Sequence, residues 1–451
     1  MYNCSAELNK YYREKVVLPE REQNNLREKR KINIKRLKNG IKKYNNNRNT
    51  AYKICEDRIQ GSMAMHTVIQ NDEHDYDIDV GIVFEQQNLN SLGSQATRNM
   101  VGNALKEEMY LFNTEPEIKT SCVRIKYSDG YHVDFAIYKR HKESEADQNY
   151  RYKHAGAEWN NRDLNALTEW FKNEIKIKGE ILRKVIRLSK TFCKSRDSWT
   201  NMPSGFIQTI LCSDLLATEY ERLDEIFYYT MKNIVKRLEY KLEVEAPIDD
   251  GRPLVTRNID YTRMTNWKNR LDSKLNTLQI IFDSDCDSQK ALKAWSDFFN
   301  NAFLEDLYKQ TTSNDQEKLT YKNTEEFIDD KYVVLESFDV NIECTIIKDG
   351  FRKTSIQNFL EKNKFIPYNF KVNCKVGTTN CPDYDKVLWK VRNVGVEAEK
   401  QDCIRGQIYE RGNEITEPTS FSGNHYIECY LIKNEICVGI GHIDIPIGEY
   451  L

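Results

Sequence analysis

Three acidic residues in this sequence have the types and spacing needed for phosphoryl-group chemistry. Asp77 and Asp79 flank Ile78 within one apolar run, and Asp134 lies within a second apolar run over residues 131–138. Side chains two positions apart on a strand project from the same face, so Asp77 and Asp79 should point together. If the two runs pair side by side in one sheet, three carboxylates converge at its edge.

Three clustered carboxylates repel one another unless cations neutralise them. Hard oxygen ligands on rigid strands suit Mg²⁺ or Mn²⁺, which keep some water and accept phosphate oxygens from a substrate. Two such ions can activate an attacking hydroxyl and stabilise a leaving pyrophosphate. The sequence therefore predicts a site for two Mg²⁺ or Mn²⁺ ions at Asp77, Asp79 and Asp134.

The dipeptide Gly61-Ser62 stands upstream of the acidic pair. Such a turn offers close backbone approach, N–H groups and a hydroxyl to the oxygens of a triphosphate. A Gly-Ser dipeptide and an Asp-x-Asp pair are each common alone. Their order here, with apolar strand residues around both acidic sites, makes the combination specific.

The surrounding elements are predicted from periodicity. Residues 78–84 read as a strand, with Ile78, Val80, Ile82 and Phe84 packed inward. Residues 122–127 and 131–137 read as two strands joined by a hairpin turn. Helices dominate over 160–330, residues 311–330 look like a polar connector, and short β-rich runs follow. We predict an N-terminal helix and palm over 1–155, a helical lobe over 156–335 and a β-rich domain over 336–451.

This arrangement resembles the DNA polymerase β-like nucleotidyltransferase superfamily, whose pattern is Gly-Ser, a spacer, Asp-x-Asp and a third Asp on a later strand. The spacer here is slightly long for that pattern. More narrowly, residues 60–67, 76–81, 131–138 and 202–206 are similar to the CD-NTase (SMODS) family, bacterial relatives of cyclic GMP–AMP synthase in anti-phage systems. The resemblance implies an α+β fold with a mixed sheet and a helical lobe over residues 10–330.

The resemblance also implies roles for the motif residues. Asp77 and Asp79 would hold both metal ions, and Asp134 would bind the catalytic ion and help activate the acceptor hydroxyl. Gly61 and Ser62 would hold the donor triphosphate.

By the same resemblance, Lys190 and Lys194 on a later helix would bind phosphate, and Lys190 is the better candidate for a neutralising residue. Together with Arg183 and Arg187 they form a basic stripe opposite an apolar face. An ordinary solvated helix face gives the same pattern, so both interpretations remain open.

The C-terminal residues 388–395 and 404–408 resemble the adenylyl/guanylyl-cyclase and SMODS C-terminal sensor domain (AGS-C). That family is proposed to sense a nucleotide-like ligand, and the resemblance implies a β-rich, sandwich-like domain. Trp389 could stack on a base while Arg392 and Arg405 bind phosphate. The alternative is a β-sandwich in which Trp389 belongs to the core and the arginines are structural.

Composition narrows the function classes. The 451 residues carry 67 Lys and Arg against 69 Asp and Glu, which excludes a global polycation built for nucleic acid. Residues 1–60 are locally basic, and we expect either a solvated helix face or an electropositive wall beside a polyanion. No run of apolar residues is long enough to span a membrane, and no signal peptide is evident, so a cytoplasmic protein is expected. Twelve cysteines without a Cys-x-x-Cys pair predict reduced thiols.

The leading hypothesis is a metal-dependent nucleotidyltransferase that releases pyrophosphate. It would convert nucleoside triphosphates into a cyclic or short oligonucleotide second messenger in anti-phage defence, acting on a downstream effector protein. One alternative is template-independent synthesis of linear DNA oligomers from dNTPs that control a membrane channel, as in the Hailong type. Others are a non-catalytic nucleotide-sensing module and a tRNA or protein nucleotidyltransferase. Direct membrane insertion is not expected, and nucleic-acid binding is not predicted as the main role.

Overall fold

The chain folds into two units, Met1–Ser313 and Asn314–Leu451. The computed structural model describes residues 1–71, 75–89, 91–109, 114–145, 147–248, 251–312 and 324–448. Most of the predicted connector therefore lies outside the described residues. The predicted division of the first unit into a palm and a helical lobe stays a prediction.

The first unit is built on a seven-stranded mixed sheet. Its central path runs β1-β2-β5-β4-β3, with β6 paired to β5 and β7 paired to β6. β2 and β5 are parallel, whereas the other pairs are antiparallel. The strands are β1 Ile54–Gln60, β2 Asp77–Glu85, β3 Glu117–Ile118, β4 Val123–Lys126, β5 His132–His141, β6 Arg151–Ala155 and β7 Trp159–Asn161.

Helices precede, cover and follow this sheet. Those within and before it are α1 Ser5–Tyr11, α2 Glu20–Arg48, α3 Gly61–Ala64 and α4 Ser94–Lys106. Those of the helical part are α5 Ala166–Lys178, α6 Ile181–Lys194, α7 Gly205–Asp214, α8 Leu223–Tyr240, α9 Asn258–Thr277, α10 Ser288–Phe299 and α11 Phe303–Thr312. A π-helical turn, Tyr12–Val16, joins α1 to the segment before α2.

The apolar pattern of β2 explains why the sheet is buried. Its alternate residues are fully buried, as predicted: Ile78, Val80, Ile82 and Phe84. They share one core cluster with Leu37 of α2 and Leu105 of α4. The two helices cross closely because Gly40 has no side chain. A Cβ there would lie 1.8 Å from the carbonyl oxygen of Ala104.

The second unit is an eight-stranded sheet. Its path runs β12-β11-β14-β15-β8-β10-β13, with β9 paired to β8. β8 and β15 are parallel. The elements are β8 Val333–Ile347, β9 Thr354–Ser355, α12 Ile356–Leu360, β10 Lys371–Thr379, β11 Lys386–Arg392, α13 Val396–Lys400, β12 Ile408–Glu410, β13 Glu414–Pro418, β14 Gly423–Lys433 and β15 Ile436–Ile447.

The start of this unit differs from the predicted boundary near residue 335. Ile328 lies in a core cluster with Leu388 and Tyr430. Glu325 pairs with Lys390 at 2.8 Å and with Arg392 at 3.2 Å. Residues 324–330, predicted as the end of a connector, are thus integrated into the second unit.

Cys344 on β8 and Cys374 on β10 stand directly opposite each other and form a disulfide, with their Cα atoms 4.2 Å apart. The expectation of reduced thiols is therefore wrong for this pair. The other cysteines of the described residues are free. Among the described residues, no helix is long and apolar enough to cross a membrane.

Candidate active site

The three aspartates predicted to act together do converge. Asp77 and Asp79 share one face of β2, and the parallel register sets Asp134 of β5 directly opposite Asp79. Each residue offers a carboxylate oxygen, and these three atoms lie within 4.8 Å of one another. Asp134 is 5% exposed, while Asp77 and Asp79 are partly buried at the edge of the sheet.

Gly61 brings a second motif against this cluster. β1 ends at Gln60, which pairs with Asp79, so α3 starts beside the carboxylates. The backbone of Gly61 has φ of 63°, a left-handed conformation that glycine adopts without a Cβ penalty. A Cβ at this position would lie 2.0 Å from Oδ2 of Asp79. Conformation and proximity both require glycine, and Ser62 follows on the first turn of α3.

The electrostatics of the cluster favour a cation. Burial, together with the charges of Asp77 and Asp134, raises the pKa of Asp79 from its usual 3.8 to about 8, against the opposing effect of Arg124 and Arg162. A carboxylate under such pressure either takes up a proton or binds a metal ion. Three oxygen donors on adjacent strands fit Mg²⁺ or Mn²⁺.

Arg124 belongs to this site, and the sequence analysis missed it. It lies on β4 opposite Asp134, to which Nε donates at 2.7 Å and Nη2 at 2.5 Å. The available signal was alternation, because the predicted hairpin sets Arg124 on the same face as Asp134.

A cleft with a volume of about 1060 Å³ opens over the acidic edge of the sheet. The predicted residues Gly61, Ser62, Asp77 and Asp79 line it, and so do both lysines of α6, Lys190 and Lys194. The cleft therefore joins the acidic cluster, the Gly-Ser turn and the basic helix in one cavity.

Lys190 is a half-buried cation whose side chain reaches Thr67 on the wall of the cleft. Its Nζ donates to Oγ1 of Thr67 at 2.9 Å and to the Thr67 carbonyl at 3.1 Å. Burial and then the charge of Arg187 lower its pKa from 10.5 to about 8, against the opposing charge of Asp77. Lys194, one turn along α6, is exposed at the cleft.

The other two members of the predicted basic stripe do not face a substrate. Arg183 and Arg187 are 0% and 1% exposed. Arg183 Nε donates to the carbonyl of Met65, and Arg187 donates to the hydroxyl of Tyr12 at 2.5 Å. Neither interpretation of the stripe fits them, because Arg183 braces the segment after Gly61-Ser62 and Arg187 holds the π-helical turn after α1.

Two cationic residues that the sequence did not indicate also line the cleft, Lys15 and Arg196. Lys15 lies in the π-helical turn after α1. Helical periodicity gave no reason to place the N-terminus beside the acidic cluster, because that approach depends on tertiary packing.

The basic N-terminal block is largely paired within the first unit. On α2, Arg30 and Lys38 both bind Asp57, at 2.7 and 3.0 Å. Lys43 binds Glu108 at 2.5 Å. Many of the cationic side chains of α2 are thus paired with carboxylates, which weakens the interpretation of this helix as an electropositive wall.

Comparisons with known proteins agree with this geometry. A family model described as "Cyclic GMP-AMP synthase DncV-like, nucleotidyltransferase domain" matches residues 56–138, a range that includes Gly61, Ser62 and all three aspartates. A second, described as "Adenylyl/Guanylyl and SMODS C-terminal sensor domain", matches residues 322–448.

Individual relatives point the same way. A cyclic GMP-AMP synthase of Escherichia albertii is 24% identical over 401 residues, which cover 86% of this chain and 83% of the relative. A cytidylate cyclase of Staphylococcus aureus is 26% identical over 96 residues, covering 21% of this chain and 22% of the relative. The crystal structure of Vibrio cholerae DncV cyclic AMP-GMP synthase aligns with a TM-score of 0.54 at 19% identity, covering 66% of this chain and 96% of that chain.

The chain thus carries a DncV-like nucleotidyltransferase domain over residues 56–138 and an AGS-C domain over residues 322–448. The predicted polymerase β-like core and β-rich C-terminal region are confirmed. Membership of the Hailong type stays a prediction.

The three residues predicted to bind a ligand in the AGS-C domain lie in different environments. Trp389 is 1% exposed, and its Nε1 donates to the carbonyl of Gly412 at 2.9 Å, so it is a core residue without a face for a base. Arg392 pairs with Glu325 and donates to the Arg405 carbonyl at 2.8 Å. Arg405 lines a cavity, where it pairs with Glu417.

Proposed function

We propose that this nucleotidyltransferase converts nucleoside triphosphates into a nucleotide second messenger, cyclic or short and linear, by metal-dependent transfer. The observation that carries the proposal is the convergence of Asp77, Asp79 and Asp134 within 4.8 Å beside Gly61-Ser62. The printed activities of the relatives, cyclic GMP-AMP synthase and cytidylate cyclase, support a nucleotide product.

The reaction would be an in-line attack of a ribose hydroxyl on an α-phosphate, with pyrophosphate leaving. Asp77 and Asp79 would hold two Mg²⁺ or Mn²⁺ ions, and Asp134 would share the one nearest the acceptor. Bound ions would neutralise charge on the attacking and leaving oxygens. Asp134 would also orient the acceptor hydroxyl, because it lies across the parallel register from Asp79.

The neighbouring residues would position the donor. The glycine conformation at residue 61 lets the triphosphate approach the backbone, and Ser62 supplies a hydroxyl. Lys190, hydrogen-bonded to Thr67 on the cleft wall, would neutralise phosphate charge once a substrate displaces part of that contact. Arg183 would keep the turn in place by holding the Met65 carbonyl.

The size of the cleft favours more than one nucleotide. Pockets for single small molecules typically enclose about 300–1,000 Å³. The cleft here, about 1060 Å³, lies just above that range and leaves room for a donor and an acceptor.

Three further classes are less well supported. A non-catalytic sensor would not need three carboxylates in mutual contact range. A macromolecular acceptor, tRNA or protein, would favour an extended cationic surface, and much of the charge on α2 is paired instead. Synthesis of linear DNA oligomers uses the same chemistry and is separated only by product analysis. A role in anti-phage defence, with an effector protein downstream, is proposed from the family resemblance.

The deciding experiment incubates pure protein with single and mixed NTPs, and separately with dNTPs, with Mg²⁺ or Mn²⁺ and with EDTA. Pyrophosphate release and product mass are measured. We expect metal-dependent release and a product that contains at least two nucleotides. No release under any condition would overturn the catalytic proposal, and a product formed only from dNTPs would favour the DNA-oligomer alternative.

A further inference from the structure

One segment of the AGS-C domain concentrates positive charge. It runs over residues 348–371, from the end of β8 through β9 and α12 to the start of β10, and we call its exposed side the 348–371 surface. The segment carries six Lys and Arg against two Asp and Glu, whereas residues 324–347 and 372–448 together carry nine against eighteen. The domain is thus acidic apart from this cationic surface. Its cations are Lys348, Arg352, Lys353, Lys362, Lys364 and Lys371.

The strand pairing gathers this segment at one end of the sheet. β8 and β15 run parallel, and Ile366 forms a bridge with Ile447 at the end of β15. Lys348, the residue after β8, donates from Nζ to the carbonyl of Asn369 at 2.8 Å. Both contacts hold the segment beside the ends of the two strands. Residues 349–365 therefore lie together at this end of the sheet.

Most of these cations are not neutralised by a carboxylate. Elsewhere in the domain, Lys386 pairs with Glu435 and Lys433 pairs with Asp383. Neighbouring cations without counter-charges raise the local potential and attract an anionic partner. Among the described residues, four exposed cations of the 348–371 surface make no ion pair: Arg352, Lys353, Lys362 and Lys371.

Phe351 stands among these cations at the tip of the β8–β9 hairpin and is 73% exposed. The preceding Gly350 has φ of 82°, and a Cβ there would meet no atom within 4 Å, so the tip projects into open space. Arg352 and Lys353 follow directly in the sequence. Binding to a membrane surface depends on burial of apolar area and on attraction between Lys or Arg and anionic headgroups. The hairpin tip supplies both.

The other phenylalanine rings of the surface are already in contact with neighbours. Phe359 meets Phe370 edge-on, with centroids 6.2 Å apart. The Lys348 ammonium lies 5.1 Å from the centre of the Phe370 ring, and that of Lys364 lies 5.2 Å from the centre of the Phe365 ring. Proteins that bind single-stranded nucleic acid stack successive bases on several open rings. A single projecting ring among cations favours a bilayer surface instead.

From these features we propose that the 348–371 surface docks this protein on an anionic membrane. The Phe351 ring enters the boundary between headgroups and acyl chains, and the surrounding cations contact the lipid phosphates. This contact is peripheral, because a hairpin tip and flanking side chains make it and it requires no membrane-spanning segment. The surface contains none of the residues assigned to catalysis, so the proposal is independent of the proposed function.

Co-sedimentation of the full-length chain with sucrose-loaded vesicles tests the docking. The vesicles consist of phosphatidylcholine alone or of phosphatidylcholine mixed with phosphatidylglycerol. We expect binding to the mixed vesicles to be at least about tenfold tighter, because each cation near an anionic surface adds to the attraction. Added salt should weaken this binding, because it screens the charges.

Two variants separate the contribution of the ring from that of the charges. Phe351→Ser should weaken binding to the mixed vesicles about tenfold, because the ring no longer leaves water. Arg352→Gln combined with Lys353→Gln should weaken it at least about tenfold. All three positions are exposed, so unfolding in urea should be unchanged. Tyr409→Ser and Lys400→Gln remove an exposed ring and an exposed cation elsewhere in the domain, and both controls should bind as wild type does.

Equal binding to both vesicle compositions would overturn the proposal, and so would wild-type binding by the ring and charge variants. Binding to single-stranded DNA or RNA that these variants lose, without binding to vesicles, would assign the surface to nucleic acid and overturn the docking. Pyrophosphate release from the same samples tests the catalytic assignment separately. Variants that lose vesicle binding should retain wild-type release in solution.

Discussion

Arg124 occupies both carboxylate oxygens of Asp134, with donor–acceptor distances of 2.7 and 2.5 Å across the β4–β5 register. A paired arginine fixes the carboxylate geometrically and supplies positive charge inside an acidic cluster. It also occupies oxygens that a metal ion would use. Arg124 should therefore promote catalysis by orienting Asp134 and weaken metal binding by competing for the oxygens of Asp134.

Arg124→Gln should separate these two effects. We expect the affinity for Mn²⁺ to rise by about tenfold, because the positive charge of Arg124 no longer repels the ion. We expect kcat to fall by about tenfold to a hundredfold, because Asp134 is less well oriented. Mn²⁺ binding followed by electron paramagnetic resonance and steady-state kinetics provide the two measurements. A parallel fall in both quantities would show that Arg124 only maintains the fold.

The double change Asp77→Ala with Asp79→Ala should lower nucleotidyl transfer at least about a thousandfold. The fold should survive, since removing carboxylates from a repelling cluster relieves strain without opening the core. Asp129→Asn, on the β4–β5 turn and paired only at the surface with Lys29, is the matched control and should keep wild-type activity. Wild-type product levels from a well-folded double variant would contradict the assignment.

Gly61→Ala tests the close approach of the Gly-Ser turn to Asp79. A Cβ would meet Oδ2 of Asp79 at 2.0 Å and would also strain a left-handed backbone. Shifting either group by about 1 Å should lower kcat/KM about a hundredfold. Gly93→Ala is the control, because no atom lies within 4 Å of a Cβ there and its φ is negative. Equal activity of the two variants would show that the turn does not position the site.

The sequence was most informative where local pattern and chemistry coincide. Alternating apolar residues predicted β2, and the Asp-x-Asp spacing predicted a shared face, because both depend only on strand geometry. The partner strand followed from a second apolar run with a hairpin turn. The structure confirms the resulting convergence of Asp77, Asp79 and Asp134.

Tertiary packing determines which side chains face the site and which are buried, and the sequence pattern did not predict this. Helical periodicity grouped Arg183 and Arg187 with Lys190, but α6 is surrounded on several sides, so two of the three are buried braces. Trp389 carries the right ring for stacking on a base, yet its strand directs it into the core. Arg124 looked like an ordinary strand residue until pairing set it opposite Asp134.

Lys190 should control triphosphate affinity in a pH-dependent way. Its pKa is lowered from 10.5 to about 8, so its charge is present below pH 8 and lost above it. We expect KM for the triphosphate to rise as the pH increases from 7 to 9. Lys190→Ala should raise KM at pH 7 by about tenfold or more and flatten this profile, whereas Lys190→Arg should retain part of the affinity at pH 9.

Lys35→Ala and Arg27→Ala serve as comparisons for Lys190→Ala. Lys35 is exposed on α2, and Arg27 is buried against Glu20, so neither should affect KM as Lys190 does. Equal effects would remove Lys190 from the site.

The final prediction concerns where the AGS-C domain begins. A fragment of residues 324–451 retains Glu325, whereas one of residues 336–451 removes that carboxylate from the buried Lys390 and the half-buried Arg392. It also removes Ile328 from the core and cuts away residues 333–335 of β8, which begin its pairing with β15. Removing a partner of a buried charge is destabilising, and here Lys390 keeps Glu428 at 3.5 Å. We therefore expect the longer fragment to unfold cooperatively in urea and the shorter one to be much less stable. Trp389, the single tryptophan of both fragments, reports unfolding by fluorescence.

In the full chain, Glu325→Gln should reproduce part of the loss of stability, and Glu361→Gln at an exposed position should not. Fragments of equal stability would place the functional start of the domain near residue 336 and reduce Glu325 to a surface contact.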